Sequence, residues 1–122
     1  MRSHWITHKD RRILYSDYTG FMDADFDALM AELRAVEEEI MRHTEYSVLL
    51  ITDIRGSVAS REAVDAFKKS AARSRKFVWK NAVIGVTGIK KIMFEAVVRF
   101  SGQPARTFED IEAAKDWLAQ AD

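Results

Sequence analysis

Ala82-Val83-Ile84-Gly85-Val86-Thr87-Gly88-Ile89-Lys90-Lys91-Ile92-Met93-Phe94-Glu95-Ala96-Val97-Val98, set between Asn81 and Phe100, decides the architecture. A short apolar, β-branched run enters a turn holding two glycines and leaves into residues whose apolar positions recur at three- and four-residue spacing. This reads as a buried strand, a glycine turn and an amphipathic helix. Lys90 and Lys91 fall in the first turn of that helix, where the positive end of the backbone dipole disfavours cations by a few tenths to ~1 kcal/mol. The turn residues Gly85, Thr87 and Gly88, with free backbone N–H groups beside paired lysines, describe a seat for an anion such as a phosphate or a lipid head group. Solvated lysines, with glycines needed only for turn geometry, are the competing reading.

The same helix is more apolar than a surface helix requires. Ile92, Met93, Ala96, Val97 and Phe100 make one stripe, and Ile89, Phe94 and Val98 widen it toward a second side. That second side is covered by the C-terminal helix and Trp117, or it borders an apolar cavity, a subunit interface or a membrane surface. Met93 and Phe94 suit the lining of a lipid-like ligand, although methionine also fills ordinary cores. With the turn glycines, Thr87 and the two lysines, they form the candidate ligand site.

Outward from this unit, strand and helix signals alternate. Trp5-Ile6-Thr7 and Arg12-Ile13-Leu14-Tyr15-Ser16 read as a hairpin ending in the turn Asp17-Tyr18-Thr19-Gly20. Asp23 or Asp25 can cap a long helix whose apolar face is Phe26, Leu29, Met30, Leu33, Val36, Ile40 and Met41. Tyr46 through Asp53 is a nearly continuous apolar run, which places it mid-sheet, covered on both faces. Ser57 and Ser60 are alternative N-caps for a helix facing inward through Ala63, Val64, Phe67 and Ala71. Arg106-Thr107-Phe108 follows as an edge strand, and Glu109 to Leu118 as a last helix. The fold class is therefore α/β, a sandwich built on a four- or five-stranded mixed sheet with about four helices.

Length and composition set bounds. At 122 residues, 48% of them hydrophobic, one core and hence a single domain over 1–122 is expected. Without cysteine, disulfides, thiolate metal sites and cysteine nucleophiles are excluded. The polar N-terminus does not resemble a signal peptide, and no stretch has the length of a membrane span, so a cytoplasmic location is expected. Net charge is zero, yet Asp17 to Glu45 carries nine acidic residues against Arg34 and Arg42, while Arg61 to Lys91 carries nine basic residues against Glu62 and Asp65. Such complementary halves can pair within the chain, meet an anionic surface or a partner protein, or support a homodimer. With zero net charge and no recognised motif, nucleic acid is not expected as a partner.

Catalytic patterns are weak. His4, His8 and His43 show no zinc spacing, so no metal is expected. Asp17 and Asp53 both stand where strands end, and parallel strands could bring them together as a general acid/base pair, although turn-forming roles explain them as well. There is no nucleophile elbow, Walker loop or dinucleotide fingerprint, and Ser57 and Ser60 lack an evident base. A protein without catalytic activity or cofactor is the expectation.

The order of elements, together with Ile13 to Gly20, Val48 to Asp53, Ala82 to Gly88 and the ending Phe108 through Ala114 to Trp117-Leu118, resembles the bacterial SpoIIAA-like proteins, which belong with the STAS and CRAL-TRIO lipid-binding folds. The resemblance covers nearly the whole chain and implies a four- or five-stranded sheet with packed helices and no established catalysis. STAS proteins that antagonise anti-sigma factors share an Asp-Ser-Ser-Gly sequence after the central strand, where serine phosphorylation switches partner binding. Here that region reads Ser57-Val58-Ala59-Ser60-Arg61-Glu62-Ala63, without the motif. Ser60 is the nearest chemical substitute for a regulatory serine, with Ser57 beside it, and a phosphate at a helix start would be favoured by the dipole. The CRAL-TRIO relationship implies another use: an apolar pocket between sheet and mobile helices, opened near a membrane, for a lipid or fatty-acid-like ligand. A small binding domain for an apolar or amphiphilic anionic ligand with peripheral membrane contact is the leading expectation. A STAS-type protein-interaction module is the alternative.

Overall fold

Val48–Asp53 is apolar at nearly every position, so neither of its faces can be left in water. In the computed structural model, which describes residues 1–58 and 60–120, this segment is β3, the middle strand of five. It lies between β2 (Arg11–Asp17) and β4 (Val78–Ile84), with β1 (His4–His8) outside β2 and β5 (Ala105–Phe108) outside β4. β1 and β2 pair antiparallel through a two-residue turn at Lys9 and Asp10, both with positive φ, as such a tight hairpin demands. The other pairs are parallel. The mixed five-stranded sheet expected from the sequence is thus present.

Parallel neighbours need a crossover, and crossovers are right-handed almost without exception. In a sheet whose spatial order follows the chain, that places every intervening helix on one face. α1 (Phe26–Ile40), α2 (Arg61–Ser74) and α3 (Lys90–Ser101) accordingly share a side, while α4 (Ile111–Ala119) covers the other. Period-two alternation divides the strands between two cores. Leu14, Val48 and Leu50 pack on Leu29, Leu33, Val36 and Ile40 of α1. Ile13, Leu49, Ile51, Ala82 and Ile84 pack on Ala114 and Leu118 of α4. Each buried Val, Leu or Ile among them contributes ~1.5–3 kcal/mol relative to exposure.

Several local readings change. Asp25 stands at the start of α1, but its carboxylate accepts from Met22 N (2.8 Å) and closes a preceding 3₁₀ turn instead of capping the helix. Met41 lies beyond the end of α1 and is exposed. Tyr46 and Ser47 precede β3 rather than join it. Ser60 is the N-cap of α2, its Oγ accepting from Ala63 N at 3.1 Å; Ala59, between the two candidate serines, lies outside the described residues.

The segregated charges meet in part within the chain, since Arg73 of α2 holds Glu37 of α1 at 2.9 Å. A register shift makes Trp79 an extra residue opposite the Val48–Leu49 step. Lys80 consequently reaches the end of α4, where its Nζ donates to the carbonyls of Trp117 (2.9 Å) and Gln120 (3.1 Å). A cation on the last carbonyls of a helix satisfies both their hydrogen bonding and the helix dipole.

The position of α3 bears most directly on function. α4 and Trp117 do not cover it, because they lie across the sheet. It packs against α2, only Ser101 among its residues is buried, and Ile92 and Phe100 are 67% and 60% exposed.

Candidate functional site

With one flank on α2 and little else above it, α3 roofs an apolar cleft over the sheet. The cleft encloses about 130 Å³. Leu50 and Val83 form its floor, Ala63 and Phe67 the α2 wall, and Met93 and Val97 the α3 wall. Thr52 and Asn81 are polar floor residues joined by a hydrogen bond, Thr52 Oγ1 donating to Asn81 Oδ1 at 2.9 Å.

Lys90 stands at one end. Its Nζ donates to the Ile54 carbonyl at 3.0 Å, and among the described residues it has no carboxylate partner. Burial holds its pKa below the ordinary lysine value. The same Ile54 carbonyl also accepts from Ser57 Oγ (2.6 Å) and Ser57 N (3.2 Å). Three donors thus converge on one oxygen with two lone pairs. An ammonium carries three donors, so Lys90 retains capacity for an acceptor arriving in the cleft.

The remaining members of the candidate site are distributed differently. Met93 and Phe94 line the cleft with Lys90 and Ser57; Gly85, Thr87, Gly88 and Lys91 do not. At the glycine turn where the anion seat was expected, two backbone N–H groups are engaged within the protein: Lys90 N donates to Thr87 O and Lys91 N to Gly88 O, both at 3.1 Å. The cause is a tight turn at the helix start, which consumes donors that an abrupt start would leave free. Gly85 has a separate structural reason. At φ +97°, an added Cβ would lie 2.7 Å from Arg55 N, so the β4–α3 and β3–α2 turns approach through it.

Residues that local pattern missed complete the cleft. Gln103, two residues past the end of α3, forms part of the wall near Ser74. Asn81, read as the entrance to a strand, is on the floor because β4 begins three residues earlier, at Val78. A polar residue after Gly102 carries no periodicity that could have marked it.

Asp17 and Asp53 are register partners on β2 and β3, so the carboxylates do end side by side in the sheet. Each is already engaged. Asp53 is fully buried and accepts from Tyr15 Oη (2.5 Å), Arg55 Nη2 (2.7 Å) and Arg55 N (3.1 Å). Burial acts to raise its pKa, but hydrogen bonds from Arg55 and Tyr15 outweigh this and hold it low. Tyr15 is pushed up to about 12, first by burial and then by Asp53. Asp17 accepts from Thr19 Oγ1 (2.6 Å) and pairs with Arg2 (3.0 Å). These contacts tie strand ends to their loops. His8 sits on Asp116 and His43 near Glu39, and among the described residues no three potential ligands converge on a metal position.

The chain is similar to a solved structure, that of an uncharacterized protein of the DUF3478 family with a SpoIIAA-like fold from Shewanella loihica. The two share 18% identity, with 96% of this chain and 92% of the other covered and a TM-score of 0.71. No protein-family model and no curated protein matches the sequence. The architecture is thus a SpoIIAA-like α/β fold, as the sequence resemblance implied.

Proposed function

We propose that this chain is a small noncatalytic binding domain whose α2–α3 cleft takes an apolar or amphiphilic anionic, lipid-like ligand. The observation that carries the reading is Lys90: an ammonium at the end of an apolar cleft, held by a carbonyl and offered no carboxylate among the described residues. Its pKa is lowered by burial. A ligand carboxylate or phosphate would restore the charge balance there, with Ser57 Oγ beside it, while the tail lies along Met93 and Val97. The outer side of α3 supports peripheral membrane contact. Ile89, Ile92 and Phe100 are exposed along it, with the basic Lys91 and Arg99 adjacent in sequence.

The test is intact-mass measurement under native conditions on protein purified from its native cells, followed by organic extraction. A stoichiometric acidic lipid is the supporting result; protein whose mass is that of the polypeptide alone contradicts the reading. Membrane contact is checked by co-sedimentation with vesicles of phosphatidylcholine containing phosphatidylglycerol. Ile92→Ser and Lys91→Glu are expected to reduce it, and unchanged sedimentation contradicts the membrane role.

A second reading, a STAS-type protein-interaction module, is favoured by the same exposed residues of α3 and by analogy of fold. Under it, Ile92→Ser abolishes capture of one specific partner and vesicles bind neither form. A homodimer through the same ridge would appear as a concentration-dependent mass that Ile92→Ser removes.

A further inference from the structure

Asn81 is 9% exposed and lies on the cleft floor. Its Oδ1 accepts from Thr52 Oγ1 at 2.9 Å, which turns Nδ2 away from Thr52, and Nδ2 has no acceptor among the described residues. Ser16 Oγ and Gln103 Oε1, also without partners, are closed off even to water; Asn81 Nδ2 is not, so a group lying in the cleft can reach it. Ser70 Oγ is unpaired among the described residues too, but Ser70 borders the α1–α2 groove as well as the cleft. A hydroxyl can also turn to donate or accept, whereas an amide nitrogen can only donate. Asn81 therefore makes the more specific demand: an acceptor on the floor.

The sheet sets the distance from that donor to Lys90. Lys90 Nζ is held on the Ile54 carbonyl, while Asn81 is the register partner of Leu50 and has its amide on Thr52. Ile54 lies two residues beyond Thr52 and four beyond Leu50, so at ~3.3 Å per residue the amide stands roughly 7–13 Å from the acid end of the cleft. The cleft's 130 Å³, at roughly 10–15 Å³ per water-sized group, accommodates about ten nonhydrogen atoms, the size of an eight-carbon acid. An extended chain advances ~1.25 Å per carbon from C–C bonds of ~1.5 Å, and its carboxylate stands ~3 Å from the ammonium. The donor thus meets such a chain at its middle carbons.

Resting on the reading of the cleft as an acid-binding amphiphile site, we infer that its ligand is an oxo acid: a medium-length acyl chain with its carboxylate at Lys90 and a carbonyl oxygen near mid-chain that accepts from Asn81 Nδ2. A plain acyl chain laid along the floor would cover Nδ2 and leave that donor unmet, a cost that the carbonyl removes. Sites that offer a buried hydrogen-bonding group discriminate against ligands that lack its partner.

Calorimetric titration of octanoate, 5-oxooctanoate and 5-methylideneoctanoate into the full chain tests this. The methylidene acid keeps the shape of the oxo acid and loses only the acceptor, so the comparison requires no variant to fold. In the unaltered protein the oxo acid is expected to bind ~10-fold more tightly than the methylidene acid. In a folded Asn81→Leu that advantage should vanish while the methylidene acid keeps its affinity. 5-Hydroxyoctanoate, which can donate as well as accept, should bind no more tightly than the oxo acid; a further gain would turn Oδ1 rather than Nδ2 to the ligand and overturn the inference. Equal affinity for the oxo and methylidene acids, or an advantage that survives in Asn81→Leu, overturns the inference and leaves the acid site standing. Failure of every acid to bind overturns the acid site itself and the inference with it.

Discussion

Replacing Ala71 with leucine asks whether the α2 and α3 walls leave usable space between them. Ala71 lines the cleft on α2, half-buried, and leucine costs a helix little relative to alanine. An apolar void of 130 Å³ costs up to ~3 kcal/mol at about 24 cal/mol per Å³, a ceiling that falls where the cleft opens to solvent. Leucine adds three carbons, worth up to ~2.4 kcal/mol at about 0.8 kcal/mol each when buried. Partial exposure and ~0.5–1 kcal/mol of rotamer entropy reduce this to a net gain of about 1 kcal/mol. The expected result is a higher urea midpoint at unchanged m-value, together with weaker octanoate binding because the tail's place is filled. If the walls already touch, the same change overpacks the core and costs ~1–3 kcal/mol. A lowered midpoint would therefore refute the cleft.

Other perturbations have distinct signatures. Asp53→Asn removes a buried charge that holds Tyr15 and Arg55; with Arg55 half-exposed, a loss of about 2 kcal/mol is expected in denaturant titration, and a change below ~0.5 kcal/mol would deny the anchor. Because Asp53's folded pKa lies below the unfolded value of 3.8, its stabilisation is complete above that value and lost as pH falls through the folded pKa. The variant's stability should accordingly depend less steeply on pH below about 4 than the parent's; parallel acid limbs would contradict this. Gly85→Ala combines a positive φ with a Cβ 2.7 Å from Arg55 N, whereas Gly88→Ala meets nothing within 4 Å, so the first should cost at least ~2 kcal/mol and the second ~1 kcal/mol. Equal costs would place the close approach elsewhere. Lys80→Met should speed hydrogen exchange in the last turn of α4 by roughly 10-fold, the loss of a charge-assisted cap, and unchanged protection there would deny that role.

Much of the architecture was legible because it is encoded locally. The continuous apolar run of β3 declares burial on both faces, and the three- and four-residue spacing from Phe26 to Ile40 declares one face of α1. Ser60 could be read as a cap from residue type and position, although only the structure separates it from Ser57. The cleft was legible in one respect: α3 is too apolar for one face, and Met93 and Phe94 do line it. What local pattern omits is which face of the sheet each helix takes. That follows from strand order, and it removes α4 from α3. The geometry around the expected anion seat was hidden for a related reason. Glycines and lysines mark a helix start but not whether its N–H groups are consumed by the turn, nor that Lys90 would reach a carbonyl 36 residues away. Gln103 and Lys80 owe their positions to a chain reversal and a strand bulge, neither of which leaves a periodic trace.

The central claim is that Lys90 makes this an acid-binding apolar cleft, and comparing octanoate with 1-octanol tests it most directly. Both are titrated into the parent protein and into Lys90→Met, which keeps an unbranched apolar stem and removes the ammonium. Octanoate is expected to bind the parent with a Kd on the order of 0.1 mM and at least ~10-fold more tightly than octanol. In a folded Lys90→Met the two ligands should become equivalent, with octanol affinity unchanged. Binding of neither ligand to the parent, or an acid preference that persists without the lysine, would contradict it.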